Sequence, residues 1–444
     1  MSNNFSSLRI NPARLRADFD ALAQFGATGD GGIHRPSLSD AHLSARAWFR
    51  DQVEKTGLEF RVDGAGNHSA FLNCAAQPVI ASEAKQSPTS NVEIASSRKP
   101  LLAMTPTLLL GSHLDSVPNG GRFDGALGVL CALEVLRVVK ENQVALAMNL
   151  EAIDFTDEEG TLVGLLGSAA IAGHLRAEHL QNPRGGRDAW EQGIARAGLI
   201  EKEFLNAARP RESLGGYLEV HIEQGKRLVN ARKPIGIVTD IVGIASYRLT
   251  FIGRADHAGS TTMEDRRDAA QGASAFTLAT REIVMRDFPQ CVANVGKMEF
   301  TPGAFNIVPA RVIVLFELRA PTADEFARLD AALIERARIE AHRFGLELQI
   351  EFLGRHAPTP MSEHAQIAIR AACESLGLAY IALVSGAGHD AQNLAAVCPV
   401  GMIFVPSVEG ASHSARELTE WEDCVNGANV LLHAALRIAG QPNF

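Results

Sequence analysis

Histidines and carboxylates cluster in five short segments of this 444-residue chain. Four of the segments lie at or just after apolar runs that are typical of buried strands, and the fifth lies in a Gly/Ser-rich stretch near the C-terminus. The segments are GSHLDS (111–116), RFDGALG (122–128), DFTDEEG (154–160), LEVHIEQG (218–225) and EGASHSARE (409–417). A carboxylate at the end of a buried strand is costly unless it is paired or bound to a metal. Because open α/β sheets bind ligands at the carboxyl ends of their strands, the segments predict a polar site there.

The residue types in these segments favour a divalent metal. Taken singly, His113 would more often be a hydrogen-bonded core histidine, Asp124 a turn residue, and the pair Glu158–Glu159 a solvated turn. Two adjacent carboxylates after a run as hydrophobic as AMNLEAIDF (147–155) nevertheless repel each other unless a cation lies between them or one keeps a proton. Imidazole and carboxylate ligands without a thiolate suit Zn, Mn, Co or Ni.

The elements that must position these side chains follow an α/β pattern. TLLLGSH (107–113) and AMNLEAIDF predict buried strands, with a helix between them at about 125–141. From about residue 235 the order becomes β-α-β-β-α-β, which is typical of a ferredoxin-like unit. We therefore predict a catalytic domain over 1–234 and 356–444, interrupted by an inserted domain over 235–355. The Ser-, Ala-, Lys- and Pro-rich segment 76–104 predicts an exposed insertion.

Composition excludes several classes of protein. The formal charge of −9 argues against binding of nucleic-acid phosphates, and the 6% aromatic content argues against stacking of bases, so we expect no nucleic-acid partner. Six cysteines stand singly without a CxxC pair, which indicates buried thiols in a reducing compartment. No apolar run reaches the roughly 18 residues of a membrane span, and the N-terminus lacks a signal-peptide core. We expect a cytoplasmic protein with no membrane partner.

Taken in order, the five motifs resemble the amidase, hydantoinase/carbamoylase family, a branch of the dinuclear metallo-aminoacylase and carboxypeptidase superfamily. The resemblance covers about residues 11 to 440. It implies a zinc-peptidase-like, three-layer α/β catalytic domain with an inserted ferredoxin-like α+β dimerisation (lid) domain, and hence a homodimer. It also implies two divalent metal ions per subunit.

The metal ligands are assigned by this resemblance, motif by motif. His113, Asp124 and His221 would hold one metal, and Asp124, Glu159 and His413 the other, with Asp124 as the bridge. A water between two cations loses much of its proton affinity, which is the chemistry that hydrolysis needs.

The same resemblance assigns residues beside the metals. Glu158 would be the general base that later protonates the leaving nitrogen, and Asp115 would orient the His113 imidazole. Gln224 and His389 would have supporting roles in the substrate pocket. After DEEG the family often continues with a short Arg-Phe turn, whereas this chain has TLVGLLGS (161–168), a change that could alter substrate choice.

The inserted domain carries RADHAGSTTMEDRRDAA (254–270), which resembles the family's GxAxHAGTTPMxxRxDA. His257 would then reach across a dimer interface to stabilise the tetrahedral oxyanion. Thr262 stands where that motif usually has Pro. Asn306 and Arg319 match residues that clamp the substrate carboxylate, for which a bidentate guanidinium is well suited.

The sequence therefore predicts a metal-dependent amidohydrolase with a small-molecule ureido carboxylate as its substrate. It would cleave the ureido (N-carbamoyl) C–N bond of an N-carbamoyl-L-amino acid or N-carbamoyl-β-alanine. Allantoate amidohydrolase is the alternative. Dipeptidase or aminoacylase activity is less favoured, because the position of His221 is more often Asp or Glu in those relatives. A non-catalytic binding protein is disfavoured because all five ligands and the base are present.

Overall fold

The structure is a computed structural model that describes residues 7–74 and 105–441. The predicted 76–104 insertion lies outside the described residues. The chain forms two compact units. The first runs to Ile237 and also contains Ser362–Ala382 and the chain from His389 onward, and the second contains Val238–Met361 and Leu383–Gly388.

Strands and helices alternate along most of the chain. The strands are β1 (Glu59–Val62), β2 (His68–Leu72), β3 (Thr107–His113), β4 (Asn149–Phe155), β5 (Leu214–Ile222), β6 (Ile235–Ile241), β7 (Gly243–Ile252), β8 (Val292–Thr301), β9 (Arg311–Ala320), β10 (Glu347–His356), β11 (Thr359–Pro360), β12 (Tyr380–Ser385) and β13 (Val400–Val405). The α-helices are α1 (Pro12–Leu22), α2 (Asp40–Lys55), α3 (Ala126–Glu141), α4 (Leu166–Ile171), α5 (Ala177–Gln181), α6 (Arg187–Ala197), α7 (Glu201–Phe204), α8 (Arg227–Ala231), α9 (Ala269–Asp287), α10 (Ala323–Arg343), α11 (Glu363–Leu376), α12 (Ala391–Leu394) and α13 (Trp421–Ala439). None of these helices combines the length and apolar character that a membrane span requires.

A mixed sheet forms the centre of the first unit, with the strand order β1-β2-β4-β3-β5-β13-β6. The strands β4, β3, β5 and β13 run parallel, whereas β1, β2 and β6 pair antiparallel with their neighbours. Every residue of β3 is buried, as its continuous apolar run predicts for a strand covered on both faces. The helix α3 is also buried along most of its length, because its apolar side chains pack in one core with those of the sheet and of other helices.

The second unit contains a four-stranded antiparallel sheet in the order β10-β7-β9-β8. Its elements follow the predicted β-α-β-β-α-β order, with α9 and α10 as the helices. Buried and half-buried residues alternate along β7 and β9, the pattern of a sheet with one covered face. Phe251, Phe276 and Phe316 pack together in the core of this unit. The predicted fold class, an α/β domain interrupted by a ferredoxin-like α+β unit, is confirmed.

Parallel strands bring the motif-bearing segments to one edge of the central sheet. His113 is the last residue of β3 and pairs with Phe155, the last residue of β4. Ile222 at the end of β5 pairs with Val405 at the end of β13. Because these strands point the same way, the loops that follow them emerge side by side.

Candidate metal centre

The first candidate ligand set consists of His113, Asp124 and His221, whose ligand atoms all lie within 4.8 Å of one another. Nε2 of His221 is 3.0 Å from Oδ1 of Asp124, and Nε2 of His113 is 3.6 Å from the same oxygen. All three side chains are buried. Gly125 makes this approach possible: it adopts a φ of +64°, and a Cβ there would lie 2.4 Å from the His113 ring.

The second candidate set consists of Asp124, Glu159 and His413. Nε2 of His413 lies 3.5 Å from Oδ2 of Asp124 and 3.6 Å from Oε2 of Glu159. Asp124 therefore belongs to both sets and presents Oδ1 to the first and Oδ2 to the second.

The donors of both sets fit divalent cations with a preference for nitrogen and oxygen. Oε1 of Glu159 is buried and has no hydrogen-bond partner among the described residues. Burial, reinforced by the nearby charge of Asp124, raises the pKa of Glu159 to about 7. Burial opposes the charged form of His113, but the carboxylates of Glu158 and Asp124 hold its pKa above the ordinary value. A cation would satisfy the unpaired oxygen and relieve the repulsion between the carboxylates.

A third group of possible ligands, Glu219, His221 and His389, shares His221 with the first set. Nδ1 of His221 lies 2.9 Å from the backbone oxygen of Ile222, which leaves Nε2 to face Asp124. His221 cannot serve both sets at once with that single nitrogen. The His389 ring instead packs edge-on against the His221 ring, with 4.5 Å between ring centroids. His389 and Glu219 thus lie close to His221.

Glu158 adjoins the first ligand set without belonging to it. Its Oε2 lies 3.5 Å from Nε2 of His113, and burial raises its pKa well above the ordinary value. The backbone N–H groups of Glu158 and Glu159 donate to the two carboxylate oxygens of Asp115, at 3.3 and 3.2 Å. The sequence predicted that Asp115 would orient the His113 ring. In the structure Nδ1 of His113 lies 3.0 Å from the backbone oxygen of Asp115 and 3.7 Å from its carboxylate.

Gln224 contacts the shared ligand directly. Its side-chain amide donates to Oδ2 of Asp124 at 2.8 Å, and the same nitrogen lies 3.4 Å from Nε2 of His413. The residue has a φ of 58°, an uncommon conformation for a side chain with a Cβ. The structure therefore places Gln224 beside the second ligand set.

Sequence reasoning assigned no role to two buried carboxylates that the structure places at the centre. Asp157 accepts the backbone N–H groups of Leu162, Val163 and Gly164, and so it closes the loop in which this chain departs from the family pattern. Glu417 accepts the backbone N–H groups of Phe123 and Asp124. Both carboxylates lie inside motifs that the sequence singled out, and this membership was the only signal for them.

The remaining predicted residues, His257, Asn306 and Arg319, lie in the second unit. Nδ1 of His257 accepts the backbone N–H groups of Gly259 and Ser260, both at 3.1 Å. The backbone oxygen of Asn306 accepts the N–H of Ala258, so His257 and Asn306 lie on adjoining segments. Arg319, near the end of β9, contacts Glu317 at 2.8 Å and the backbone oxygen of Gly386 at 2.7 Å.

The chain is similar to known proteins over nearly its whole length. The sequence profile of peptidase family M20/M25/M40 matches residues 109–437. An N-carbamoyl-L-amino acid amidohydrolase from Geobacillus stearothermophilus is 35% identical, over 97% of this chain and 99% of the relative. An allantoate amidohydrolase from Bacillus subtilis is 30% identical, over 85% and 86% of the two chains.

A solved structure is also similar. The crystal structure of an amidase of the hydantoinase/carbamoylase family from Burkholderia multivorans superposes with a TM-score of 0.84. It is 33% identical in sequence, and the match covers 98% of this chain and 100% of that chain. The similarity agrees with the confirmed fold class.

Proposed function

The chain belongs to peptidase family M20/M25/M40 and, within it, to the hydantoinase/carbamoylase amidases, and we propose that it hydrolyses N-carbamoyl-L-amino acids. It is a metal-dependent hydrolase of non-peptide carbon–nitrogen bonds. The proposed reaction consumes one water and releases the amino acid, ammonia and carbon dioxide. The observation that carries the proposal is the sharing of Asp124 between two ligand sets, with the carboxylate of Glu158 beside them.

The proposal assigns two divalent ions to the centre. His113, Asp124 and His221 would hold one ion, and Asp124, Glu159 and His413 the other. When bound, such a pair lowers the pKa of a water and polarises the scissile carbonyl. Zn, Mn, Co and Ni all accept these ligands, so the ion in use depends on supply as well as on the site.

Glu158 is proposed as the proton carrier of the reaction. Its carboxylate takes a proton from the attacking water and delivers it to the leaving nitrogen. Burial raises its pKa above the ordinary value, which makes the ionised carboxylate a stronger proton acceptor than that of an exposed glutamate. The hydrogen bonds from the N–H groups of Glu158 and Glu159 to Asp115 support this role, because they hold the backbone that carries the base.

His257 is proposed as the donor that stabilises the oxyanion. Its Nδ1 accepts two backbone hydrogen bonds, so the proton of the neutral ring must lie on Nε2. Arg266 donates to the backbone oxygens of Ala258 and Thr261 and so fixes the loop that supplies those two bonds. The ring is therefore prepared to donate from Nε2, as an oxyanion requires.

Asn306 and Arg319 are proposed to bind the substrate carboxylate, with Gln224 and His389 in supporting roles. Arg319 uses Nε for Glu317 and one N–H of Nη1 for Gly386. A guanidinium has five N–H groups, so three remain for a substrate. The contact with Glu317 limits the rotation of the side chain.

We also propose that the protein is a homodimer formed through its second unit. The edge strand β8 exposes Val292 and Phe300, and α9 exposes Leu278 and Met285. Exposed apolar residues on a sheet edge and a neighbouring helix support association with a second copy. Light scattering should give twice the chain mass of 47.6 kDa. A mass of 47.6 kDa at micromolar concentration would contradict the dimer.

The function is tested by ammonia release from metal-depleted protein reloaded with Mn, Co or Zn. The panel contains N-carbamoyl-L-amino acids, their D enantiomers, N-carbamoyl-β-alanine, allantoate and dipeptides. Turnover of the N-carbamoyl-L-amino acids that depends on the metal is the expected result. Dipeptide cleavage releases no ammonia and is followed through the new amino group. Exclusive dipeptide cleavage, or no turnover of any ureido compound, would contradict the proposal.

Allantoate is the second candidate substrate. The relative from Bacillus subtilis supports it, although at lower identity and coverage than the N-carbamoyl-L-amino acid relative. Allantoate is also a ureido carboxylate, so the same centre would serve its hydrolysis. Turnover of allantoate alone in the panel would favour this second function.

A further inference from the structure

Glu417 joins two segments of the first unit that are 293 residues apart in sequence. Its Oε1 accepts the backbone N–H of Phe123 at 2.9 Å and that of Asp124 at 3.0 Å. Its Oε2 lies 3.1 Å from the hydroxyl of Ser412, the residue before His413. The side chain is only 5% exposed, so both oxygens depend on protein partners.

The space for this carboxylate is provided by Gly121. A Cβ at Gly121 would lie 2.0 Å from Cδ and from Oε1 of Glu417. No side chain can occupy that volume unless the carboxylate moves away. The absence of a side chain at Gly121 therefore lets the Glu417 carboxylate reach the backbone N–H groups of Phe123 and Asp124.

His413 is the candidate ligand that most needs such support. His113 and His221 lie in buried strands, whereas the His413 side chain is 52% exposed and the residue has a φ of 53°. The Ser412 hydroxyl lies 3.1 Å from Oδ2 of Asp124 as well as from Glu417. The position of His413 relative to Asp124 therefore depends on a loop that Glu417 contacts.

We propose that Glu417 is a positioning residue for the second metal. It holds the loop of Ser412 and His413 against the backbone of Asp124, so that Nε2 of His413 and Oδ2 of Asp124 converge on one cation. The proposal rests on the proposed binding of two metals. Groups that orient metal ligands in this way typically change metal affinity by about 10–100-fold when they are removed.

The chemistry of the contacts distinguishes two substitutions. In Glu417→Gln the amide oxygen can still accept the two backbone N–H groups, and the amide nitrogen can donate to the Ser412 hydroxyl. In Glu417→Ala all three bonds are lost. Gly121→Ala should disrupt the same three bonds without changing Glu417 itself, because the added methyl group displaces the carboxylate.

The test is a titration of the metal-depleted, full-length protein with Co²⁺. Calorimetry and the visible absorption of bound cobalt measure the affinity of each site. Wild type should bind two ions. Glu417→Ala and Gly121→Ala should bind the first ion normally and the second at least about tenfold more weakly. Glu417→Gln should stay within about threefold of wild type at both sites. Glu134→Gln is the control for a general loss of stability, since Glu134 is a buried carboxylate that accepts a backbone N–H and pairs with Arg14 but contacts none of the candidate ligands.

Several outcomes would overturn the inference. Unchanged second-site affinity in Glu417→Ala and Gly121→Ala would exclude a positioning role. Equal loss at both sites, together with a lowered melting temperature, would show a general structural role instead. Wild type that binds a single ion would overturn both this inference and the two-metal centre. Two bound ions without any hydrolysis of ureido substrates would contradict only the proposed substrate, because the titration does not depend on turnover.

Discussion

The carboxylate of Asp115 accepts the backbone N–H of Glu158 at 3.3 Å through Oδ1. Its other oxygen, Oδ2, accepts the next N–H along the chain at 3.2 Å. Asp115 itself follows β3, and Glu158 follows the neighbouring parallel strand β4. The two strand ends are thus tied together at the proposed base, so that the position of Glu158 depends on an aspartate from the adjacent loop.

Asp115→Asn should lower kcat by about 10–100-fold. An asparagine has one acceptor oxygen, so one of the two N–H groups would lose its partner. Steady-state kinetics with an N-carbamoyl-L-amino acid checks this. Asp268→Asn is the control, because that residue caps α9 through a single oxygen and Asn caps equally well. A kcat equal to that of wild type would show that the two bonds do not position the base.

Glu158→Gln should retain the metals and lose activity. Glutamine cannot carry the proton from water to the leaving nitrogen, so kcat should fall by about 10²–10⁴-fold. Metal content measured by elemental analysis should equal that of wild type, because Glu158 lies outside both ligand sets. Full metal content with undiminished turnover would exclude Glu158 as the base.

His257→Ala should act mainly on kcat. Loss of one oxyanion donor typically costs about 10²–10³ in kcat, since the bond forms fully only in the transition state. Arg266→Ala should show part of the same loss, because it frees the loop that fixes the His257 ring. The measurement is kcat and KM for both variants. A change confined to KM would mean that His257 binds substrate in its ground state.

Arg319→Ala should raise KM for carboxylate substrates at least about tenfold, with a smaller effect from Arg319→Lys, which keeps the charge but not the planar fork. Arg311→Ala, at the other end of β9, is the matched control. Initial rates over a range of substrate concentrations check the prediction. An unchanged KM would show that Arg319 does not contact the substrate.

The buried carboxylates of Asp157, Glu159 and Glu417 should make the metal-free protein less stable as pH rises from 5 to 8. Burial raises the pKa of Asp157, Glu159 and Glu417 to about 7, from ordinary values near 4. The folded state therefore holds protons that the unfolded state has released, and this contribution is lost as pH rises from about 4 to about 7.

His413 acts in the same direction. A hydrogen bond to Asp124 raises its pKa to about 9, so its stabilising charge is present below pH 6.5 and is lost as pH rises through 9. Because metal ligands must be deprotonated, the melting-temperature gain from added Zn²⁺ should grow over the same range. Melting curves with chelator and with metal check both trends, and metal-free Glu159→Gln should show a flatter profile. A metal-free Glu159→Gln protein whose melting temperature depends on pH in the same way as that of wild type would contradict the assignment.

The order of the elements and the residues that could bind metal follow from the amino-acid sequence. Apolar runs such as that of β3 predict buried strands because both faces must be covered, and the run ends directly at His113. The alternation of strands and helices predicts an α/β sheet, in which ligands bind at the carboxyl ends of the strands. The sequence therefore predicts that His113, Glu158 and His221 lie at one edge of a sheet.

The contacts of the buried carboxylates become visible only in the folded protein. The side chain of Asp115 contacts the backbone of Glu158 and Glu159 in addition to lying near His113, and Glu417 contacts the backbone of Asp124. The partners in these bonds are backbone groups, which every residue carries, so no residue type in the sequence marks them. Their identity depends on loops that pack together from distant parts of the chain. For the same reason the acidic residue in SHSARE could be seen in the sequence, but its link to Asp124 could not.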